Sequence, residues 1–222
     1  MQYLYHKEAG TPQLELTGDE HRYLFKVRRH RAGETLYLRN LRDKTLYRYQ
    51  IEEIDRKRAS LLLQDQKVYE VEAKQRLHIG WCMIDPKSIE KVLPSLNEMG
   101  VAKVTFIYCK RSQKSFSLDF KRLEKILLNS SRQCGRSIMM ELDKKGSLEL
   151  FLKENPESWM LNFSEKRLGE NSMIETLVIG AEGGFSEDEC GCIAEDRVVG
   201  LDTPLILKSE SAVCAAASKL LL

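Results

Sequence analysis

No stretch of the 222 residues is apolar over the roughly 18 positions that a membrane-spanning helix needs, and residues 1–7 lack the apolar centre of a secretory signal. The two absences lead to the expectation of a cytoplasmic protein with no membrane partner. Six cysteines stand at 82, 109, 134, 190, 192 and 214, with no Cys-x-x-Cys pair and no histidine at metal-ligand spacing. No metal is therefore expected, and the cysteines read as free thiols packed as small apolar groups. Internal repeats and low-complexity tracts are missing too, which leaves ordinary globular domains. An excess of one charge is also absent. With 35 Lys and Arg against 33 Asp and Glu, the net charge of +2 is too small to announce a nucleic-acid partner.

The distribution of charge says more than its sum. Residues 103–136 hold nine basic side chains against two acidic ones, and residues 1–70 hold fourteen against eleven, with Arg28, Arg29 and Arg31 around His30. Two basic regions far apart in sequence suit a phosphate-binding surface built from two domains. They suit solvated faces equally well, and charge alone leaves both readings open.

What is present is enough apolar residue, 42 %, to build a core without disulfides or metals. The pattern divides near residue 70. Thr17-Gly18-Asp19-Glu20 has capping-box spacing ahead of a short helix over 21–28. In 46–51, Tyr47, Tyr49 and Ile51 alternate with Arg48 and Gln50, which is strand periodicity. With further strands over 34–40 and 59–64, residues 1–70 read as a small β-rich barrel or sheet domain, and 67–75 as a charged linker. From 77 onward, strands alternate with helices, so 71–222 reads as an α/β domain with a mostly parallel sheet. Asp85-Pro86 starts one helix, with Asp as N-cap and Pro at the first helical position, and Gly100 ends it. Further strands are expected over 101–109, 160–163, 176–180 and 197–201, with helices over 118–134, 186–194 and 209–222. A polar loop joins 163 to 176. Along 118–136, Lys121, Lys125 and Arg132 fall opposite the apolar stripe and read as a solvated face.

One turn carries chemistry. Ile179-Gly180-Ala181-Glu182-Gly183-Gly184-Phe185-Ser186 joins a strand to a helix, where glycines let a ligand approach the backbone. No Lys-Ser/Thr follows, so a P-loop is excluded, and the glycine spacing is not that of a dinucleotide fold. Ser186-Glu187-Asp188-Glu189 is an acidic capping box that would repel phosphate. A cationic adenosyl ligand, S-adenosyl-L-methionine, fits better than a nucleotide phosphate; a plain steric turn is the competing reading.

Residues 179–189 resemble the IGPEGGFSxxE motif of the bacterial 16S ribosomal RNA uridine N3-methyltransferases, of the SPOUT class, and Leu207-Lys208-Ser209-Glu210-Ser211-Ala212 resembles that family's LRxETA. Weaker similarities are Gln133-Cys134-Gly135-Arg136, Lys87 with Glu98-Met99-Gly100-Val101, Arg111-Ser112, and His21 with Val27-Arg28. Ala181, Lys208, Ser211 and Arg132 stand where the family has proline, arginine, threonine and glutamate. Residues 202–205 lack its LGxR.

The resemblance implies a PUA-like N-terminal β-barrel and a C-terminal α/β methyltransferase domain closed by a trefoil knot. It also implies a homodimer acting on 16S ribosomal RNA or the small ribosomal subunit. Cofactor contacts are then expected from Leu161, Asn162, Phe163, Ile179, Gly180, Glu182, Gly183, Gly184, Leu201, Leu207, Lys208, Ser209, Ser211 and Ala212. Arg111, Arg136 and Glu210 are the catalytic candidates, and Arg28, Arg29, Lys87, Arg111 and Arg136 the RNA contacts. A valine at Gly183 should block backbone approach and abolish cofactor binding. The rivals are a methyltransferase of the same class acting at another RNA position, and an RNA-binding ribosome assembly factor without catalysis.

Overall fold

A computed structural model describes residues 3–169 and 173–222. Met1 and Gln2 lie outside the described residues, as do 170–172 of the polar loop expected before residue 176. Two compact units result: residues 1–72 with 131–139, and residues 73–130 with 140–222.

The first unit is a five-stranded sheet of order β1-β3-β4-β5-β2, formed by β1 (Leu4–Tyr5), β2 (Gln13–Thr17), β3 (Thr35–Arg39), β4 (Thr45–Ile54) and β5 (Arg58–Val68). β1 runs parallel to β3, and the other neighbours are antiparallel. The alternation in β4 buries Tyr47, Tyr49 and Ile51 against Leu16, Leu38 and Leu61. Helix α1 (Gly18–His21) follows β2 directly. The expected capping box does not form, since Thr17 makes no side-chain cap bond. The chain then widens into a π-helical segment, Arg22–Val27. The stretch read as a linker is tied down as far as Glu72: β5 runs to Val68, Val71 N–H donates to Ser137 Oγ (2.7 Å) and Ile138 N–H to Glu72 Oε1 (2.7 Å). Arg39, fully buried, lies over the rings of Tyr3 and Tyr69 at 5.4 and 5.7 Å and donates to the Tyr69 carbonyl.

The second unit is a wholly parallel six-stranded sheet of order β11-β9-β10-β6-β7-β8. Its elements in chain order are β6 (His78–Cys82), α2 (Pro86–Met99), β7 (Lys103–Ile107), α3 (Phe120–Cys134), β8 (Glu141–Lys145), α4 (Leu148–Glu154), β9 (Trp159–Leu161), β10 (Thr176–Ile179), α5 (Glu187–Cys190), β11 (Val198–Val199) and α6 (Ser209–Leu221). The last turn of α3 belongs to the first unit. Helix α2 starts and stops as its sequence dictates: Asp85 accepts from Ser88 N–H, Pro86 opens the helix, and Gly100 closes it at φ 96°. Central strands such as β6 are buried on both faces and lose alternation. Gly80 is needed there, because a Cβ would stand 2.8 Å from the Phe151 ring.

Several expectations are corrected. Cys82 and Cys109 are not free thiols but a disulfide, with Cα atoms 5.7 Å apart. Cys82 pairs with Ile107 in the β6–β7 register, which brings Cys109 within reach across 27 positions, a proximity that no local spacing could signal. β1, β2, β8 and α4 are additional elements, and α5 is shorter than the helix expected over 186–194. Arg132 is half-buried rather than on a solvated face. Among the described residues no helix is long and apolar enough to cross a membrane.

His78, mostly buried at the start of β6 beside the Phe151 ring, is pushed down to about 4 by burial, with nearby Lys103 acting in the same direction. Its folded value lies below the unfolded one, so folding favours the neutral ring, and that stability disappears as pH falls from about 6.5 through 4. Between pH 7 and 5 it should cost about 2 kcal/mol. Urea unfolding at both pH values checks this against His78→Gln, whose pH dependence should be flatter by that amount.

Candidate functional site

A cavity of about 420 Å³ opens at the carboxyl ends of β9 and β10, where open parallel sheets usually hold ligands. Three segments line it: 161–167 after β9, 179–185 after β10, and 200–212 between β11 and the first turn of α6. Of the residues expected to hold a cofactor, Leu161, Asn162, Phe163, Ile179, Gly180, Gly184, Leu201, Leu207, Ser209 and Ala212 lie on its wall. Glu182, Gly183, Lys208 and Ser211 are exposed and do not line it. Ser164, Arg167, Ala181, Phe185, Gly200, Thr203, Pro204, Leu205 and Ile206 also line it without having been among the expected cofactor contacts, although Ala181 and Phe185 belong to the turn that the sequence marks. Gly200 was expected inside the strand over 197–201, whereas β11 ends at Val199 and leaves Gly200 directly after it.

Hydrogen bonds fix the walls. Ser209 Oγ accepts from the Trp81 indole N–H (2.8 Å) and donates to the Gly180 carbonyl (2.5 Å), so one buried hydroxyl ties β6, the glycine turn and α6 together. Gly200 N–H donates to Lys166 O and its carbonyl accepts from Leu168 N–H, each at 2.8 Å. Arg167 donates to the carbonyls of Ser164 (2.8 Å) and Leu201 (3.3 Å), spanning the first and third segments.

The outer side of the turn is clamped by the chain after β7. Arg111 Nη1 donates to Gly183 O at 2.7 Å, and Lys110 N–H donates to Glu189 Oε1 at 2.7 Å. The other oxygen of Glu189 accepts from Ser186 N–H, completing the capping box predicted at 186–189. Lys110 and Asp188 form an exposed ion pair that raises the lysine and lowers the carboxyl relative to their ordinary values, chiefly through the hydrogen bond between them. The start of α5 is thus supplied with anionic partners of its own.

The other candidates are not among the residues lining the cavity. Glu210, in the first turn of α6, is half-buried and its Oε2 has no hydrogen-bond partner among the described residues. Lys87 is exposed at the start of α2. Arg28, Arg29 and Arg136 belong to the first unit. Arg28 donates to the Tyr23 hydroxyl, Arg29 adopts φ 60°, and Arg136 is buried with its guanidinium 3.2 Å from the Glu72 carboxylate.

A parallel sheet with a cavity at its carboxyl edge, preceded by a small β unit, defines a class. Residues 71–221 match the model of an RNA methyltransferase domain, and residues 16–64 that of an RNA methyltransferase PUA domain. The ribosomal RNA small subunit methyltransferase E of Helicobacter pylori (strain ATCC 700392 / 26695) is 38 % identical over 222 residues, spanning 98 % of this chain and 98 % of its own. The Rickettsia conorii protein of the same name is 25 % identical over 236 residues, 99 % of this chain and 94 % of its own. The chain belongs to the ribosomal RNA small subunit methyltransferase E family. The solved structure of that enzyme from Neisseria gonorrhoeae, bound to S-adenosyl methionine, shares the fold with a TM-score of 0.80 at 19 % identity, covering 98 % of this chain and 95 % of its own. A Legionella pneumophila methyltransferase in complex with the same cofactor gives 0.79 at 23 %, covering 98 % and 96 %.

Proposed function

We propose that this chain transfers a methyl group from S-adenosyl-L-methionine to N3 of a uridine in the 16S RNA of the small ribosomal subunit. The carrying observation is the cavity where three segments converge. About 420 Å³ falls within the roughly 300–1,000 Å³ of small-molecule sites. Leu161, Ile179, Leu201 and Leu207 offer apolar faces for an adenine ring, while Asn162, Thr203 and the backbone around Gly180 and Gly200 offer polar contacts. When bound, the cofactor supplies an electrophilic methyl on its sulfonium.

The residues of the chain then have to hold the uracil ring in line, and such positioning alone can contribute roughly 7–11 kcal/mol. Arg111, exposed on the turn, is suited to stabilise charge building on the uracil oxygens. Glu210, with an oxygen lacking a hydrogen-bond partner among the described residues, is the candidate acceptor for the N3 proton. Buried against Glu72, Arg136 enters this reading as a residue that orders 131–139 rather than one that meets RNA. Arg28, Arg29 and Lys87 remain candidate RNA contacts. The same reading includes a trefoil knot, a closed PUA-like barrel, a homodimer and a cytoplasmic location alongside ribosomes. Its supports are the Gly200 backbone bonded between Lys166 and Leu168, and the exposed apolar Phe163, Leu205 and Ile206 at the cavity.

Labelled methyl from S-adenosylmethionine should pass to small subunits lacking the mark and map to N3 of one uridine. Label on a ribose or another base, or none at all, would overturn this assignment. Arg111→Ala should lower kcat/KM about 10-fold or more, as expected for losing a charged contact, with cofactor affinity held within about threefold. An equal fall in cofactor affinity would instead make Arg111 a support of the turn.

A further inference from the structure

The first unit contains a second concavity, a groove of about 720 Å³ between the helical segment after β2 and the turn joining β4 to β5. One wall carries Arg22 and Lys26, and the other Arg56, Lys57 and Arg58. Glu15 is the single carboxylate on its lining. Arg58 is already engaged, 2.9 Å from Asp55 and 3.8 Å from Glu15. Arg22, Lys26, Arg56 and Lys57 are exposed and, among the described residues, pair with no carboxylate.

The fold holds the two walls at a set separation. His21, buried between them, makes a hydrogen bond from its Nε2 to the Asp55 carbonyl at 3.1 Å and packs on Phe25 with ring centroids 4.9 Å apart. Thr17 at the end of β2 pairs with Arg58 at the start of β5, fixing the floor. Gly18, at φ 59° with nothing within 4 Å of its missing side chain, turns the chain sharply from strand to helix without narrowing the groove. Four exposed cations gathered around one concavity, with Glu15 the carboxylate on its lining among the described residues, repel one another less when an anion lies between them.

We infer that this groove docks the phosphodiester backbone of the RNA substrate, gripping a helical segment through phosphates contacted by Arg22, Lys26, Arg56 and Lys57. The inference rests on the proposed action on RNA. The groove's cations sit on long stems that suit contacts to phosphates, which position an RNA helix by its shape. Arg28 does not line it. The groove adds a surface assembled from residues 15–26 and 56–58 to the candidate RNA contacts at Arg28 and Arg29.

The test uses the full chain with all four residues changed to glutamine (R22Q, K26Q, R56Q, K57Q), keeping polarity while removing charge. Methyl transfer to unmethylated small subunits and filter binding to naked 16S RNA are both measured over a salt series. Each lost phosphate contact should flatten the dependence of log affinity on log salt by about 0.7–0.9, so the variant's slope should be shallower by about 3. KM for RNA should rise at least about 10-fold, with kcat and calorimetric cofactor affinity unchanged. An unaltered slope and KM in a folded variant would overturn the inference. Loss of subunit binding without loss of naked-RNA binding would overturn it too, in favour of a ribosomal protein as the occupant. A wild type that binds RNA with the expected slope yet transfers no methyl would sink the proposed function and leave the groove standing. Two-residue variants, R22Q/K26Q and R56Q/K57Q, give half the slope change each should the fourfold variant misfold.

Discussion

Gly200→Ala is expected to weaken S-adenosylmethionine binding by about 10- to 100-fold while leaving a folded protein. A Cβ built at this position stands 2.7 Å from the Ser164 carbonyl oxygen and 3.1 Å from the Ser164 nitrogen. Both neighbours are backbone, and Gly200 cannot move away, because its own N–H and C=O are bonded to Lys166 and Leu168. The strain must therefore spread into the segments lining the cavity. Overpacking of this kind typically costs about 1–3 kcal/mol, which expressed at the site is roughly 5- to 150-fold in affinity. Calorimetry with the cofactor, alongside a thermal melt, separates loss of the site from loss of the fold. Gly146→Ala, where a Cβ would meet only the end of Leu150 at 3.9 Å, serves as the neutral control. Affinity within about threefold of the parent in Gly200→Ala would show that the third segment does not form the cradle.

The contrast with Gly183 is instructive. A Cβ there would sit 3.5 Å from the Arg111 side chain, an ordinary contact on the outer side of the turn. The sequence points to Gly183 as the close approach to the ligand; the structure gives the tightest backbone fit to Gly200.

Ser209→Ala should be the more damaging change for stability. It leaves the fully buried Trp81 indole N–H and the half-buried Gly180 carbonyl at the cavity wall without the bonds described above. Each orphaned group costs roughly 1–3 kcal/mol, so a loss of about 2–4 kcal/mol is expected. For a chain of this size that lowers Tm by roughly 5–15 °C. Because the hydroxyl also anchors the wall at Gly180, cofactor affinity should fall as well, and adding the cofactor should recover less Tm than in the parent. A double-mutant cycle with Trp81→Phe isolates the bond: additive effects would mean that the hydroxyl and the indole do not act as a unit.

The local features were legible because their causes are local. Asp85, Pro86 and Gly100 bound α2 through bonds within a few residues, Ser186 and Glu189 close a capping box three positions wide, and Tyr47, Tyr49 and Ile51 share a face through a two-residue period. The α/β character of the second unit followed from the same periodicities. The motifs at 179–189 and 207–212 pointed to the cofactor segments and, through resemblance, to the family. Thr17 shows the limit of local signals: its spacing to Glu20 is right, yet no cap forms.

The tertiary structure decided which distant residues meet, since parallel strands joined by crossovers place neighbours tens of positions apart. The β6–β7 register pairs Cys82 with Cys109, the passage of residues 200–209 beside 164–168 makes Gly200 the tight point, and ion pairing with Glu72 buries Arg136. The basic groove arises likewise, from cations some thirty positions apart that share no motif. Sequence alone determined the elements and the chemistry of one turn, because helix caps and strand alternation are settled over a few residues. Which side chains share a cavity is settled by strand order and packing, and only the fold contains that information.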